Sequence, residues 1–248
     1  MQKQVEILAI IPARIGSSEV KKKNIRKLCG KPLIYHTIKS SLASKITRTI
    51  VSTDSIEIRK LAEKYGAEVP FLRPKKYALN HSSAFSVIKH CLEYLKKKEK
   101  YEPDYIIYLQ PTSPFRKIKD IDNGIKKILE SNSTSLVGVT DVENKHPYWT
   151  FKMSKLGRLD EFIKIKNKPE RRQDLPRLYI INAALYISKK EFFDKKSNKS
   201  LIFDRNNCVG LKMDYINSYD INTEFDFQIA DLLCKKGYQD ISKNTLIS

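Results

Sequence analysis

The chain has little of what anchors several kinds of protein. No apolar run approaches the roughly 20 residues that span a bilayer, so no membrane partner is expected. The first ten residues, MQKQVEILAI, lack the apolar core and small-residue cleavage site of an export signal, and the cytoplasm is the expected location. Cysteine is sparse: Cys29, Cys91, Cys208 and Cys234 are far apart, with no CxxC pair or Cys/His cluster. Neither a zinc site nor a disulfide framework is expected, and reduced thiols are the simple reading. His36, His81, His90 and His146 show no ligand spacing, and no nucleophile–base pair for covalent catalysis stands out.

What the chain has in excess is positive charge. Its 47 Lys and Arg against 28 Asp and Glu leave a formal net charge of +19. Such a balance suits a polyanionic partner or an anionic metabolite. The lysines, however, are scattered along helical stretches (YLKKKEK, GIKKILE, LLCKKGY) rather than gathered with aromatics. Exposed helix faces accept lysine readily, so no nucleic-acid partner is expected, and an anionic small substrate needs only a few of them.

With 248 residues, the chain can bury a sizeable core as one domain. Along its first half two periodicities alternate. VEILAIIP, RTIVSTD, AEVPFL, PDYIIYLQP and TSLVGVTDV read as strands. KPLIYHTIKSSLAS (with its Pro in the first turn), SIEIRKLAEKYG (closed by Gly66), SSAFSVIKHCLEYLKKK and KIKDIDNGIKKILES read as helices. This alternation predicts an α/β fold with a mostly parallel, doubly wound sheet, whose ligands sit beyond the carboxyl ends of the strands. After about Asn144 the rhythm breaks into YWTFKMS, RLDEF and RLYIINAALYIS, which predicts an antiparallel or arm-like sub-lobe over roughly 144–185. NCVGLKM and a last helix, TEFDFQIADLLCKKG, complete the single domain.

Four stretches carry chemistry. IIPARIGSSEVKKKN empties a strand into a loop whose free N–H groups, Arg14 fork and lysines suit phosphate, although a solvated basic turn has the same composition. It is not a Walker A loop, which requires GxxxxGK followed by Ser or Thr. LQPTSPFR ends another strand; its prolines stiffen a loop in which Gln110, Thr112 and Ser113 offer neutral hydrogen-bonding groups, or simply form a turn. In SYDINTEFDF, Asp220 and Asn222 alternate on extended chain and can face one Mg²⁺, while Asn222 or Thr223 equally suits a helix cap. In PERRQDLPRLYIINAALY, Asn182 interrupts an apolar strand and needs partners, from backbone or ligand.

Taken in order, IIPARxGS…KN, STD, RP…A, LQPTSPFR, RRQDLP…NxAxY and DINTExDF resemble the acylneuraminate cytidylyltransferases, the CMP-nonulosonic acid synthetases. The resemblance runs from about Ile7 to Asp226. It implies a Rossmann-like nucleotidyltransferase sheet with a small antiparallel dimerisation arm. It also implies transfer of CMP from CTP to a nine-carbon 2-keto sugar acid with release of pyrophosphate, using Mg²⁺, in a cytoplasmic homodimer. By position, Ala13, Arg14, Ser17, Lys23 and Asn24 match nucleotide-binding residues, with Arg14, Lys23 and Asp220 as the catalytic set. Arg73 and Ala84 match the wall around cytosine. Gln110, Thr112, Ser113, Arg172 and Asn182 match sugar-binding positions, Arg172 within the dimer arm. Asp220 matches a metal-ligand aspartate, with Asn222 beside it.

The departures from that pattern are specific. Ser17-Ser18-Glu19 stands where Ser-Lys-Gly is usual, Asn222 replaces a second aspartate, and Asn80-His81 replaces Asp-Thr. Ile180, Ala183 and Trp149 stand where Arg, Gly and, in some sialate enzymes, Lys are usual. Several of these losses touch contacts to the sugar, which favours a less polar, deoxy and diacylated sugar such as legionaminate over N-acetylneuraminate. Two alternatives share the fold: a cytidylyltransferase for the eight-carbon acid Kdo, and a catalytically impaired nucleotide-binding protein. Lys23-Asn24 ahead of GKPL favours the nonulosonate branch over Kdo.

Overall fold

The computed structural model describes residues 4–16, 19–142, 145–194 and 200–238. Its order is β1 (Ile7–Pro12), β2 (Lys27–Leu28), β3 (Lys31–Pro32), α1 (Leu33–Leu42), β4 (Arg48–Ser52), α2 (Ile56–Lys64), α3 (Ala84–Glu99) and β5 (Tyr105–Tyr108). There follow α4 (Ile118–Glu130), β6 (Ser135–Asp141), β7 (Phe151–Met153), β8 (Leu159–Glu161), β9 (Tyr179–Lys189), α5 (Lys190–Asp194), β10 (Cys208–Lys212) and α6 (Glu224–Lys235).

Six strands form the central sheet in the order β10-β6-β9-β5-β1-β4. β1 pairs in parallel with β4 and β5, β10 pairs in parallel with β6, and β9 runs antiparallel to both β5 and β6. Five strands therefore share one direction and β9 opposes them, in a sheet apolar on both faces. Ile7, Ala9 and Ile11 of β1 pack with α1, α2 and α4, while Leu8 and Ile10 face α3 and α5. This two-sided burial explains why β1 reads as a continuous apolar run. A smaller cluster, including Val20, Leu28, Leu33, Ile221 and Phe227, fastens the first loop and the β2–β3 hairpin to α6.

Four expectations need correction. Pro32 ends β3 and caps α1 rather than sitting in its first turn, because Lys27–Leu28 and Lys31–Pro32 pair as a tight hairpin. AEVPFL makes only two isolated bridges, Glu68 to Ile50 and Leu72 to Thr53; Pro70 between them has no N–H to continue a ladder. RLYIINAALYIS is not part of an arm: β9 lies inside the central sheet, and the excursion is the β7–β8 hairpin. Finally, Cys29 and Cys234 form a disulfide, with Cα atoms 5.4 Å apart across a sequence separation of 205. Cys29 (φ 51°) and Gly30 (φ 74°) make the left-handed hairpin turn that meets the last turn of α6, an encounter that linear spacing does not reveal. Cys91 and Cys208 are free thiols.

Candidate active site

A cleft of about 370 Å³ opens at the carboxyl ends of β1 and β5. Its floor follows from strand ends that stop together: Ala13 N donates to Ser52 O (2.9 Å) and Leu109 N to Ile10 O (3.1 Å). Beyond β1 the chain is pinned from three sides. Ile15 N donates to Asp54 Oδ1 (3.0 Å), Asn24 Nδ2 to Arg14 O (2.8 Å), and Lys23 Nζ to Ile221 O (2.9 Å). Arg14, Lys23 and Asn24 thereby share one end of the cleft.

The cations there are unequally placed. Arg73, buried, grips Ser52 through Nε to Oγ (3.1 Å) and Nη2 to the carbonyl, and reaches Tyr77 O at 3.4 Å. Burial lowers its pKa, against the opposing pull of Tyr108 and Asp54. Burial likewise pulls Lys23 below the ordinary lysine value; Asp220 opposes this and Arg14 adds to it. Arg14 donates from Nη1 to Asn80 Oδ1, so Asn80 serves as its neutral tether.

Glu19, Gln110, Thr112 and Asn222 also line the cleft. The last of these is set by the entry to α6. Thr223 caps the helix (Asp226 N to Thr223 Oγ1, 3.2 Å), and Asp226 Oδ2 accepts from the Thr223 and Asn222 amides at 2.7 and 3.0 Å. The cap thus belongs to Thr223, which leaves both Asp220 and Asn222 available. Asn222 Nδ2 donates to Asp220 Oδ2 (2.8 Å), while Asp220 Oδ1 is buried without a partner. Among the described residues no group of three or more His, Cys, Asp or Glu could hold a metal. An orphaned carboxylate oxygen with an amide side chain beside it fits Mg²⁺, which commonly takes one or two protein oxygens and completes its shell with phosphate and water.

The remaining sequence candidates fall elsewhere. Ala13 is fully buried beneath the cleft. Ala84 begins α3 and packs against the core, and Arg172 is exposed on the turn Arg172–Asp174; neither lines the cleft. Ser113 and Asn182 are buried just behind it, with Ser113 Oγ and Asn182 Nδ2 unpartnered. Ser17 lies outside the described residues.

Two participants were missed by sequence reasoning. Asp54 lies within the STD motif that signalled the site, and Arg116 ends LQPTSPFR. Arg116 is 1% exposed, with Nε donating to Ala184 O (2.5 Å) and Nη2 to Gln110 O (2.8 Å). Burial lowers its pKa to about 10, so it stays cationic at neutral pH. A basic residue closing a proline-bound loop was the available signal.

A mostly parallel sheet with a pinned basic loop and a polar cleft at its carboxyl edge defines a nucleotide-binding α/β protein. The same fold is seen in the CTP complex of CMP:2-keto-3-deoxy-manno-octonic acid synthetase (TM-score 0.67, 15% identity, 94% of this chain and 99% of that one). Residues 8–226 match the cytidylyltransferase family, and the chain belongs to it; it is a CTP-using nucleotidyltransferase. It is 35% identical to the CMP-N,N'-diacetyllegionaminic acid synthase of Legionella pneumophila, over 92% of this chain and 96% of that one. It is 28% identical to the pseudaminic acid cytidylyltransferase of Campylobacter jejuni, over 94% and 97%.

Proposed function

We propose that this cytidylyltransferase moves CMP from CTP to the anomeric hydroxyl of a nine-carbon 2-keto sugar acid of legionaminic type, releasing pyrophosphate. The observation that carries the reading is the make-up of the cleft: the cations Arg14, Lys23 and Arg73 line it together with the neutral hydrogen-bonding groups of Gln110 and Thr112, with the carboxylate of Glu19 beside them. The 35% identity to a legionaminate synthase supports the sugar class.

In such a transfer the protein mainly orients reactants and neutralises charge. Arg14 and Lys23 face the triphosphate and stabilise charge that builds on departing pyrophosphate. Gln110 and Thr112 orient the sugar so that its hydroxyl meets the α-phosphorus in line. No side chain needs to form a covalent intermediate. Mg²⁺, held by Asp220 and Asn222, would supply Lewis-acid neutralisation of phosphate oxygens when bound.

A homodimer is part of the same reading. Met153 (74% exposed), Leu156 (87%) and Leu159 (61%) on the β7–β8 hairpin give that arm an apolar face suited to a second copy. A cytoplasmic site agrees with the use of CTP. The Cys29–Cys234 bond weighs against it, because reducing compartments seldom retain such bonds, and alkylation of thiols at lysis decides the matter.

The test is pyrophosphate release with CTP and Mg²⁺ across legionaminate, pseudaminate, N-acetylneuraminate and Kdo. Release with a nonulosonate is expected, and release with Kdo alone would overturn the sugar class. A second reading rests on Asn222, whose amide N–H is turned toward Asp220. A protein so impaired binds CTP calorimetrically yet releases nothing with any of the four acids.

A further inference from the structure

β9 does not run straight through the sheet. Its pairing with β6 shifts between Val137, opposite Tyr186, and Val139, opposite Ile181, so one residue of β6, Gly138, faces four of β9. Within that bulge Ala183 is left-handed (φ 60°), and the freed backbone groups must find other partners. Asn182 Oδ1 accepts from Ala184 N (3.1 Å), Ala184 O accepts from Arg116 Nε, and Ala183 O lies 3.5 Å from Gln110 Nε2. Arg116 also holds the Gln110 carbonyl, so one guanidinium joins the loop after β5 to the bulge of β9. Gly138 is the matching concession on β6: a Cβ there would stand 2.6 Å from Asn182 Oδ1 and 2.8 Å from Met213 Sδ.

Arg116 is an unusual choice for a tie between two carbonyls. It is buried, Nη1 has no partner, and no carboxylate lies within 4.0 Å of it among the described residues. A neutral donor would satisfy one carbonyl at lower desolvation cost. A planar fork is needed to reach two carbonyls on separate segments at a fixed angle.

We propose that Arg116 is a positioning residue for the sugar acid: it locks the bulge of β9 to the loop after β5, and so sets where Gln110 presents its amide. This rests on the assignment of that end of the cleft to the sugar acid. In the proposed reading CTP is held by β1, the first loop and Arg73, and the hydrogen bonds of Arg116 go to Ala184 and Gln110 instead. Disturbing the tie therefore separates the two substrates. In Arg116→Lys the charge remains, but the fixed spacing and angle of the Nε and Nη2 donors are lost.

The experiment measures steady-state pyrophosphate release by wild type and R116K, with CTP and the best sugar acid of the four-member panel varied in turn, alongside thermal unfolding. KM for the sugar acid is expected to rise about tenfold to a hundredfold, the scale of a roughly 1 Å misplacement, with KM for CTP within about twofold. Equal loss toward both substrates, or none, overturns the proposal. If R116K does not fold, Gly138→Ala pushes on Asn182 from the β6 side, and the same split is expected; its absence is equally fatal. If wild type is silent with all four acids, the assigned reaction fails separately. Amide exchange then decides the inference, with residues 180–186 expected to exchange faster in R116K than in wild type while residues 7–12 stay protected. Unchanged exchange overturns it.

Discussion

Lys23 links burial to nucleotide binding. Its pKa lies below the ordinary 10.5 because burial disfavours the ammonium, with Asp220 pulling the other way. Free enzyme therefore loses this charge, assigned in the proposed function to the triphosphate, before an ordinary lysine does. The expected outcome is a fall in kcat/KM for CTP as pH rises toward 10.5, with the fall in kcat displaced to higher pH because bound triphosphate favours the charged form. Lys23→Arg should move the kcat/KM limb upward. For stability the sign is opposite: unfolded chain holds the proton until 10.5 and folded chain releases it earlier, so this group's contribution improves as pH rises through that window. Asn222 yields a second outcome at this scale. Asn222→Asp places two carboxylates side by side, so the metal-free variant should unfold at lower temperature than wild type. Added Mg²⁺ should restore it and bind the CTP complex about tenfold more tightly, as seen by calorimetry.

Among the elements, β9 departs furthest from its sequence appearance. RLYIINAALYIS reads as part of an antiparallel or arm-like sub-lobe; it is antiparallel, but as a strand inside the core sheet. Its bulge puts Ala183 at φ 60°, where a Cβ crowds the backbone. Ala183→Gly relieves that strain and adds some unfolded-chain entropy, for a net gain of about 0.5–1 kcal/mol in urea unfolding. A loss of stability would mean that the Ala183 methyl packs more than it strains.

At the scale of the molecule, the Cys29–Cys234 bond closes nearly the whole chain into one loop, and its two ends fasten the segments that follow Lys23 and Asp220. Chain-entropy reasoning for a separation of 205 residues gives about 5 kcal/mol, while measured disulfides usually contribute about 2–4 kcal/mol. The double variant Cys29→Ser/Cys234→Ser should lose stability in that lower range, and reductant should bring wild type to the same midpoint. Assembly is tested on the arm. Leu156→Glu with Leu159→Glu places charge on its apolar face and should convert a sedimenting dimer to monomer, while a wild type that already sediments as monomer removes the dimer from the reading.

The sequence by itself determined the alternating α/β rhythm and the basic strand-to-loop stretch, while the order of its motifs suggested roles for Arg14, Lys23, Gln110 and Thr112. These features are local: hydrophobic period and proline placement act within a few residues. The cap was legible in kind, and the structure gave it to Thr223, freeing Asn222. Tertiary structure alone decided that β9 enters the sheet against its neighbours, that Cys29 meets Cys234, and that Arg116 reaches Ala184, 68 residues further along the chain. Each depends on contacts between distant parts of the chain, where the free energy comes from jointly burying groups that no sequence window contains.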